Sequence, residues 1–112
     1  TGPAPFYKEL GKKFGPIDLG FGNLGAYNFY PLVPVKDKST AHANPEELLS
    51  LMKDLDVKKV IGMHWGTAIL SLEPIWEPPV RFKENAEKFG YEKDEAIIFK
   101  IGEIKKLKDL IN

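Results

Sequence analysis

The chain has 112 residues, with 16 lysine and arginine side chains against 16 aspartate and glutamate side chains, and no cysteine. This length suits one small globular domain, or part of one, because it can bury a single core. The formal net charge of +0 argues against nucleic-acid binding driven by bulk charge. The lack of cysteine excludes disulfides and thiolate zinc sites. No apolar run approaches the roughly 20 residues of a membrane span.

The first third of the chain combines one predicted helix, one predicted strand and a long loop. Apolar side chains recur at helical spacing over residues 6–14, and the following Gly15-Pro16 is typical of a helix end. The apolar run over residues 17–21 predicts a buried strand. The apolar residues over positions 22–43 show neither helical nor strand spacing, which predicts a loop. A loop of this length is usually functional or disordered. The aromatic side chains that cluster in it favour order.

A second helix begins at the strongest local signal in the sequence. Asn44 is a typical N-cap, Pro45 suits the first helical position, and Glu47 is spaced for a capping box. The apolar stripe that follows comprises Leu48, Leu49, Met52 and Leu55. Such a stripe predicts a helix with one face on a core.

The second half continues the alternation of strands and helices. The sequence predicts a strand over residues 59–63, a helix around residues 82–89 closed by Gly90, and a strand over residues 96–101. Residues 104–112 fit either a strand or a helix. Because strands and helices alternate with connections of crossover length, we predict an α/β fold with a parallel or mostly parallel sheet.

His64 is the first candidate functional residue. It lies where the predicted strand gives way to Trp65 and Gly66, at the carboxyl end, which is where open α/β sheets place their ligand crevices. Gly66 lets the chain turn sharply or lets its backbone approach a ligand. The alternative is a core histidine whose ring nitrogens bond to the backbone. From the residues alone, both interpretations stay open.

His42 is the second candidate, although its spacing from His64 carries little information. A solvent-facing loop histidine is the alternative. A catalytic zinc site needs about three protein ligands, and the sequence has only 2 histidines. A carboxylate would have to complete such a site, and the nearest in sequence are Asp18, Asp37 and Glu73. None of them has ligand-type spacing to a histidine, so we do not expect a complete metal site within this chain.

Other motifs give weaker signals. No Gly-x-Ser-x-Gly elbow accompanies the histidines, which argues against a serine nucleophile. A G-x-G-x-x-G pattern is present, but no predicted helix follows it, so we interpret Gly20, Gly22 and Gly25 as loop geometry. Several aromatic side chains could line an apolar or lipid-binding pocket, with core packing as the alternative. They are Tyr27, Phe29, Tyr30, Trp65 and Trp76.

Six sequence blocks occur in an order seen in one protein family. They are Thr1-Gly2, FGPIDL at 14–19, GAY at 25–27, HANPEE at 42–47, IGMHWGT at 61–67 and EPP at 77–79. By these blocks the chain resembles the carboxyl-terminal half of metallo-β-lactamase-fold hydrolases, specifically those like N-acyl-phosphatidylethanolamine-hydrolysing phospholipase D. The similarity runs from Thr1 to about Gly102, and the combination of His-Trp-Gly-Thr with His-x-Asn-Pro-Glu-Glu is far more specific than either piece.

The resemblance implies part of a larger fold. The family has an αββα sandwich that holds two metal ions, usually zinc, between the edges of two sheets. Residues 1–112 would form its carboxyl-terminal half, an α/β unit with a mixed or mostly parallel sheet and helices on one face. The family's metal-bridging aspartate immediately precedes the Thr-Gly that opens this chain, and its His-x-His-x-Asp-His segment lies further upstream. This sequence contains neither, and it begins without methionine, so we expect it to be the remainder of a longer chain.

The resemblance also implies roles for individual residues. His64 matches the last histidine ligand of the second metal, and His42 matches a histidine that contacts substrate or transfers a proton. Tyr27 and Trp65 fall at the substrate cleft. After Tyr27 the sequence departs from the family's usual Pro-Arg continuation, which leaves the substrate open. The implied mechanism is metal-assisted hydrolysis, in which two cations generate hydroxide from a bridging water and polarise the scissile oxygen.

These implications lead to one functional expectation and one alternative. We expect a fragment of a dinuclear zinc hydrolase acting on a phosphodiester or phospholipid-like substrate, inactive and weakly zinc-binding as an isolated chain. The alternative is a non-catalytic half-domain that serves as a binding or structural module. Half of a two-sheet sandwich leaves an apolar sheet face uncovered, so the expected partner is the missing amino-terminal half, or a second copy in a homo-oligomer. We expect a cytoplasmic location, with peripheral membrane contact as an option, and no nucleic-acid partner.

Overall fold

The computed structural model describes residues 2–34 and 42–111. Their secondary structure elements, in chain order, are helix α1 (Phe6–Phe14), strand β1 (Ile17–Asn23), helix α2 (Pro45–Asp54), strand β2 (Val57–Met63), helix α3 (Glu77–Asn85), a 3-10 turn (Glu87–Phe89), strand β3 (Ala96–Ile97) and helix α4 (Leu107–Ile111). The strands form one sheet in the order β1-β2-β3, and both pairings are parallel. The predicted α/β fold with a parallel sheet is therefore confirmed.

The register of β1 and β2 decides where the functional residues meet. The two strands pair from Ile17 opposite Val57 to Asn23 opposite Met63, and α2 is the crossover between them. The contact continues past the strand ends, where the backbone N–H of Leu24 donates to the carbonyl of Met63 at 2.7 Å. Since parallel strands end at the same edge, the loops that follow β1 and β2 emerge side by side.

Helix α2 begins where the sequence predicts it. The side chain of Asn44 accepts a hydrogen bond from the backbone N–H of Glu47 at 2.8 Å, and the Glu47 carboxylate accepts one from the Asn44 N–H at 3.2 Å. Pro45 occupies the first turn, where no backbone donor is needed. The capping box therefore fixes the entry to the helix that covers the sheet.

Helix α2 packs closely on the sheet because two positions of β1 lack side chains. A Cβ atom at Gly22 would lie 2.2 Å from Cδ1 of Leu48, and one at Gly20 would lie 2.9 Å from Sδ of Met52. The interpretation of these two glycines as loop geometry is wrong, since both lie within β1 and make room for helix side chains. The core around this contact extends to Val60, Phe82, Ala86, Tyr91 and Ala96.

Other predicted boundaries change in the structure. The last strand is predicted over residues 96–101 but spans only Ala96–Ile97, because β3 pairs with β2 at two positions and a turn then closes between Lys100 and Glu103. The helix predicted around residues 82–89 is α3 followed by the 3-10 turn, and it ends at Gly90 with φ of 82°, as predicted. The segment after residue 104, predicted as either a strand or a helix, contains α4, so the helical option is correct.

The sheet face opposite α2 carries exposed apolar side chains. Side chains alternate along a strand, so Phe21 points away from the helix that covers Gly20 and Gly22. Phe21 is 58% exposed and Met63 is 43% exposed, beside the buried Ile61. Helix α4 contacts β1 and buries Leu110, so within the described residues the face is open only around Phe21 and Met63. Such an opening agrees with the expectation for part of a two-sheet sandwich. None of the described helices is long and apolar enough to cross a lipid bilayer.

Candidate active site

The two histidines lie together at the carboxyl edge of the sheet. His64 follows β2 directly and adopts a left-handed backbone conformation with φ of 73°, which turns the chain at the strand end. His42 lies just before the N-cap of α2. Their ring centroids are 5.0 Å apart, with an angle of 37° between the planes. The fold therefore brings together two residues that the sequence separates, and His64 is exposed rather than a core histidine.

The last residue of β1 orients His42. Nδ2 of Asn23 lies 3.0 Å from Nδ1 of His42. An amide nitrogen can only donate, so Nδ1 accepts and the proton of the neutral ring lies on Nε2. Burial lowers the pKa of His42 below its usual value, and the nearby His64 lowers it further. A neutral imidazole in this tautomer can donate a hydrogen bond from Nε2 to a group beside His64.

A cavity of about 240 Å³ lies beside His64. One wall is formed by Gly25 and Ala26 in the β1 loop, which we define as residues 24–28. The other wall comes from the β2 loop, defined as residues 64–76, and is mostly apolar. Its lining side chains include Trp65, Ala68, Ile69, Leu70, Glu73 and Ile75. The cavity therefore offers an apolar surface directly next to a candidate metal ligand.

The two predicted substrate-binding residues occupy different places. Trp65 lines the cavity, and its ring lies 5.8 Å from that of Trp76. Tyr27 is 0% exposed, and its hydroxyl donates to Oε2 of Glu77 at 2.6 Å. Burial raises the pKa of Tyr27, and the hydrogen bond and charge of Glu77 raise it further. The side chain of Tyr27 therefore anchors the β1 loop, and Gly25 and Ala26 line the cavity whereas Tyr27 does not.

Helix α3 supplies a charged support behind Tyr27 that the sequence did not reveal. Arg81 binds Glu46 of α2 through two contacts of 2.8 Å, and its guanidinium lies 5.3 Å from the centroid of the Tyr27 ring. Glu77 lies 3.8 Å from the same arginine. The chain has one arginine, and its position after Glu77-Pro78-Pro79 is the signal that could have drawn attention to it. The network links α2, α3 and the β1 loop.

The two candidate carboxylates that the structure describes, Asp18 and Glu73, do not complete a metal site. Asp18 forms an exposed ion pair with Lys58 at 2.7 Å, and Asp37 lies outside the described residues. Glu73 is directed at backbone amides of the β1 loop. Among residues 2–34 and 42–111, no group of three or more histidine, aspartate or glutamate side chains could hold a metal ion. The imidazoles of His42 and His64 are suitable donors, but they fit only part of a catalytic metal site.

Two of the three sequence relatives described below carry the same enzyme name, and all three are much longer than this chain. No protein-family model matches the sequence. The chain is 46% identical over 50 residues to the mitochondrial N-acyl-phosphatidylethanolamine-hydrolyzing phospholipase D of Saccharomyces cerevisiae, a match over 45% of this chain and 11% of the relative. It is 34% identical over 79 residues to N-acyl-phosphatidylethanolamine-hydrolyzing phospholipase D 1 of Caenorhabditis elegans, over 70% of this chain and 21% of the relative. An uncharacterized protein of Mycobacterium tuberculosis is 33% identical over 93 residues, a match over 78% of this chain and 22% of the relative.

A solved structure shares the fold. The metallo hydrolase Igni18 of the hyperthermophilic archaeon Ignicoccus hospitalis superimposes with a TM-score of 0.55 over 88% of this chain and 33% of its own, at 21% sequence identity. The chain thus spans about a third of that structure and at most 22% of the three sequence relatives. Together with the parallel sheet and the paired histidines at its edge, these matches make the chain a relative of N-acyl-phosphatidylethanolamine-hydrolysing phospholipase D with part of a metallo-β-lactamase fold.

Proposed function

We propose that this chain is a fragment of a metal-dependent hydrolase, the carboxyl-terminal half of its metallo-β-lactamase-like domain, and that the complete enzyme cleaves a phosphodiester or phospholipid-like substrate. The observation that carries the proposal is the pair of imidazoles, 5.0 Å apart, beside an apolar cavity at the carboxyl edge of a parallel sheet. This edge is where α/β folds bind ligands. The names of the relatives supply the substrate class, and the cavity wall agrees with a substrate that has an apolar portion.

In this proposal, the site residues have different roles. His64 is a metal ligand, and the metals, two zinc ions in the complete domain, supply Lewis-acid stabilisation and an activated water when bound. His42 contacts the substrate or transfers a proton, and Asn23 orients its ring through Nδ1. Trp65 contributes to the apolar wall against which the non-reacting part of the substrate packs. Tyr27 supports the opposite wall from behind.

The remaining metal ligands and one sheet layer come from outside this sequence in the same proposal. Two imidazoles are fewer donors than a catalytic zinc site requires. The exposed apolar side chains Phe21 and Met63 lie on the face that the amino-terminal half of the domain would cover. We therefore expect the isolated 112-residue chain to bind zinc weakly and to hydrolyse no substrate. A tightly held dinuclear centre in the isolated chain, detected by metal analysis, would overturn this expectation.

Replacement of the proposed metal ligand tests the function. In the natural protein that contains this sequence, His64→Ala should remove bound metal and hydrolysis of bis(p-nitrophenyl) phosphate together. Glu84→Gln, at an exposed position of α3 that does not line the cavity, is the control and should retain both. Metal per protein is measured by elemental analysis, which also identifies the metal. Full metal occupancy and an unchanged rate in the His64 variant would show that His64 is not a ligand.

A second candidate function is a non-catalytic binding or structural module. The open apolar sheet face favours it, because such a face can bury a partner. Metal content separates the two candidates, since the module needs no stoichiometric metal in the natural protein. Homo-oligomerisation, a cytoplasmic location and peripheral membrane contact stay predictions, as does the lack of a nucleic-acid partner.

A further inference from the structure

We propose that Glu73 is a positioning residue that holds the two walls of the cavity together. Its carboxylate accepts a hydrogen bond from the backbone N–H of Ala26 at 2.6 Å and a second from that of Asn28 at 3.0 Å. One oxygen serves each amide, so the side chain joins the β2 loop to the β1 loop through two bonds. The catalytic consequence of this clamp rests on the proposed function, whereas the clamp itself does not.

A third hydrogen bond, between backbone groups, joins the same two loops. The N–H of Leu72 donates to the carbonyl of Asn28 at 2.8 Å, next to the amide that Glu73 binds. The Asn28 side chain in turn accepts from the N–H of Tyr30 at 3.1 Å. The β1 loop is therefore bonded on both sides of Asn28, and Glu73 provides the only charged acceptor among these contacts. Hydrogen bonds to an ionised acceptor are stronger than those between neutral groups.

The conformation of the β1 loop explains why it needs this support. Gly25 has φ of 137° and Ala26 has φ of 58°. Residues with a Cβ atom adopt positive φ values only at an energetic cost. With the chain turned this way, alternate amides of the loop point to the same side. A single carboxylate can satisfy them both, and the Ser71 side chain also forms a hydrogen bond with this carboxylate.

The clamped loop lies directly against His64. A Cβ atom at Gly25 would lie 3.5 Å from the carbonyl oxygen of His64, and the adjacent Leu24 is bonded to Met63. His64 itself holds a left-handed conformation, with φ of 73°. A shift of the β1 loop would therefore move both the cavity wall and the backbone that carries the proposed metal ligand. Misplacement by about 1 Å can cost about a hundredfold in rate.

Three variants separate the clamp from simple loss of charge. Glu73→Gln keeps the shape of the side chain but places an NH₂ group where one oxygen accepts, so one loop amide loses its acceptor. Glu73→Asp keeps the charge on a side chain one methylene shorter, which we expect to hold one amide instead of both. Glu84→Gln is the matched control, because Glu84 is an exposed glutamate of α3.

Hydrogen–deuterium exchange in the natural protein tests the clamp without any substrate. Peptides spanning residues 24–28 should exchange about tenfold or more faster in Glu73→Gln than in the wild type, with a smaller increase in Glu73→Asp. Peptides from α2 should be unchanged, which shows that the variants remain folded, and Glu84→Gln should match the wild type. Equal exchange of residues 24–28 in the wild type and both Glu73 variants would overturn the inference.

Kinetics with bis(p-nitrophenyl) phosphate test the positioning role. We expect kcat to fall about tenfold to a hundredfold in Glu73→Gln, with a smaller fall in Glu73→Asp and with metal per protein unchanged in both. Faster exchange with an unchanged kcat would overturn the positioning role and leave the proposed function intact. If the metal-loaded wild type does not hydrolyse the probe, the proposed phosphodiesterase function fails, and hydrogen exchange alone still decides whether Glu73 clamps the loops.

Discussion

The sheet with its covering helix and the loops at the sheet edge are held by different forces. Between β1 and α2, apolar side chains of Leu48 and Met52 fill space left open by two glycines. At the edge, carboxylates bind backbone amides or a buried hydroxyl, as Glu73 and Glu77 do. Packing of the first kind depends on volume and is insensitive to pH. The second depends on single atoms and on ionisation, so the region that carries the site responds to pH and to the loss of single hydrogen-bonding atoms.

Removal of an aromatic ring from the core should cause the largest loss of stability. Phe82 is 0% exposed in α3, and Phe82→Ala should lower the free energy of unfolding by about 3–5 kcal/mol because it leaves a cavity. Phe14→Ala is the control, since Phe14 is 63% exposed, and it should cost less than about 0.5 kcal/mol. Chemical denaturation of the natural protein measures both. Similar losses in the two variants would show that the packing around α3 is not part of the core.

Removal of one loop hydrogen bond should have an intermediate effect. Tyr27→Phe deletes the hydroxyl that donates to Glu77 at 2.6 Å and should cost about 1.5–3 kcal/mol, because the acceptor is charged. Tyr30→Phe is the control at an exposed tyrosine a few residues away, and it should be nearly neutral. Denaturation curves provide the comparison. If Tyr27→Phe were as neutral as its control, the edge would be held by packing like the rest of the molecule.

Acidification should cause the smallest loss of stability, and it should act on the loops at the sheet edge because their hydrogen bonds involve ionised carboxylates. Burial alone would raise the pKa of Glu73, but hydrogen bonds from Ser71 and from the amides of Asn28 and Ala26 outweigh it, so the pKa lies below the usual value. A lowered folded-state pKa stabilises the protein above the unfolded-state pKa, and this contribution is lost as pH falls through the folded-state pKa.

The difference in unfolding free energy between the wild type and Glu73→Gln isolates this contribution. It should be largest near neutral pH and should shrink as the pH is lowered through the acidic range where Glu73 becomes protonated. The matched difference for Glu84→Gln should stay small throughout. A difference for Glu73→Gln that does not change with pH would mean that its carboxylate is not stabilised by the loop amides.

The sequence by itself determined the local elements and one end of the site. The capping box at Asn44, the apolar stripe of α2 and the strand that ends at His64 all follow from neighbouring residues, whose periodicity and caps act within a few positions. The family relationship was also readable, because its motifs are contiguous blocks such as HANPEE and IGMHWGT.

Only the tertiary structure decided which of these residues meet. His42 reaches His64, Glu73 reaches the amides of Ala26 and Asn28, and Tyr27 turns inward to Glu77 because parallel pairing of β1 and β2 places their following loops side by side. The same long-range contact gives the β1 glycines a packing role. Such contacts join residues far apart in the chain, and no local pattern records them, since they depend on the register of two strands and on the helix that crosses between them.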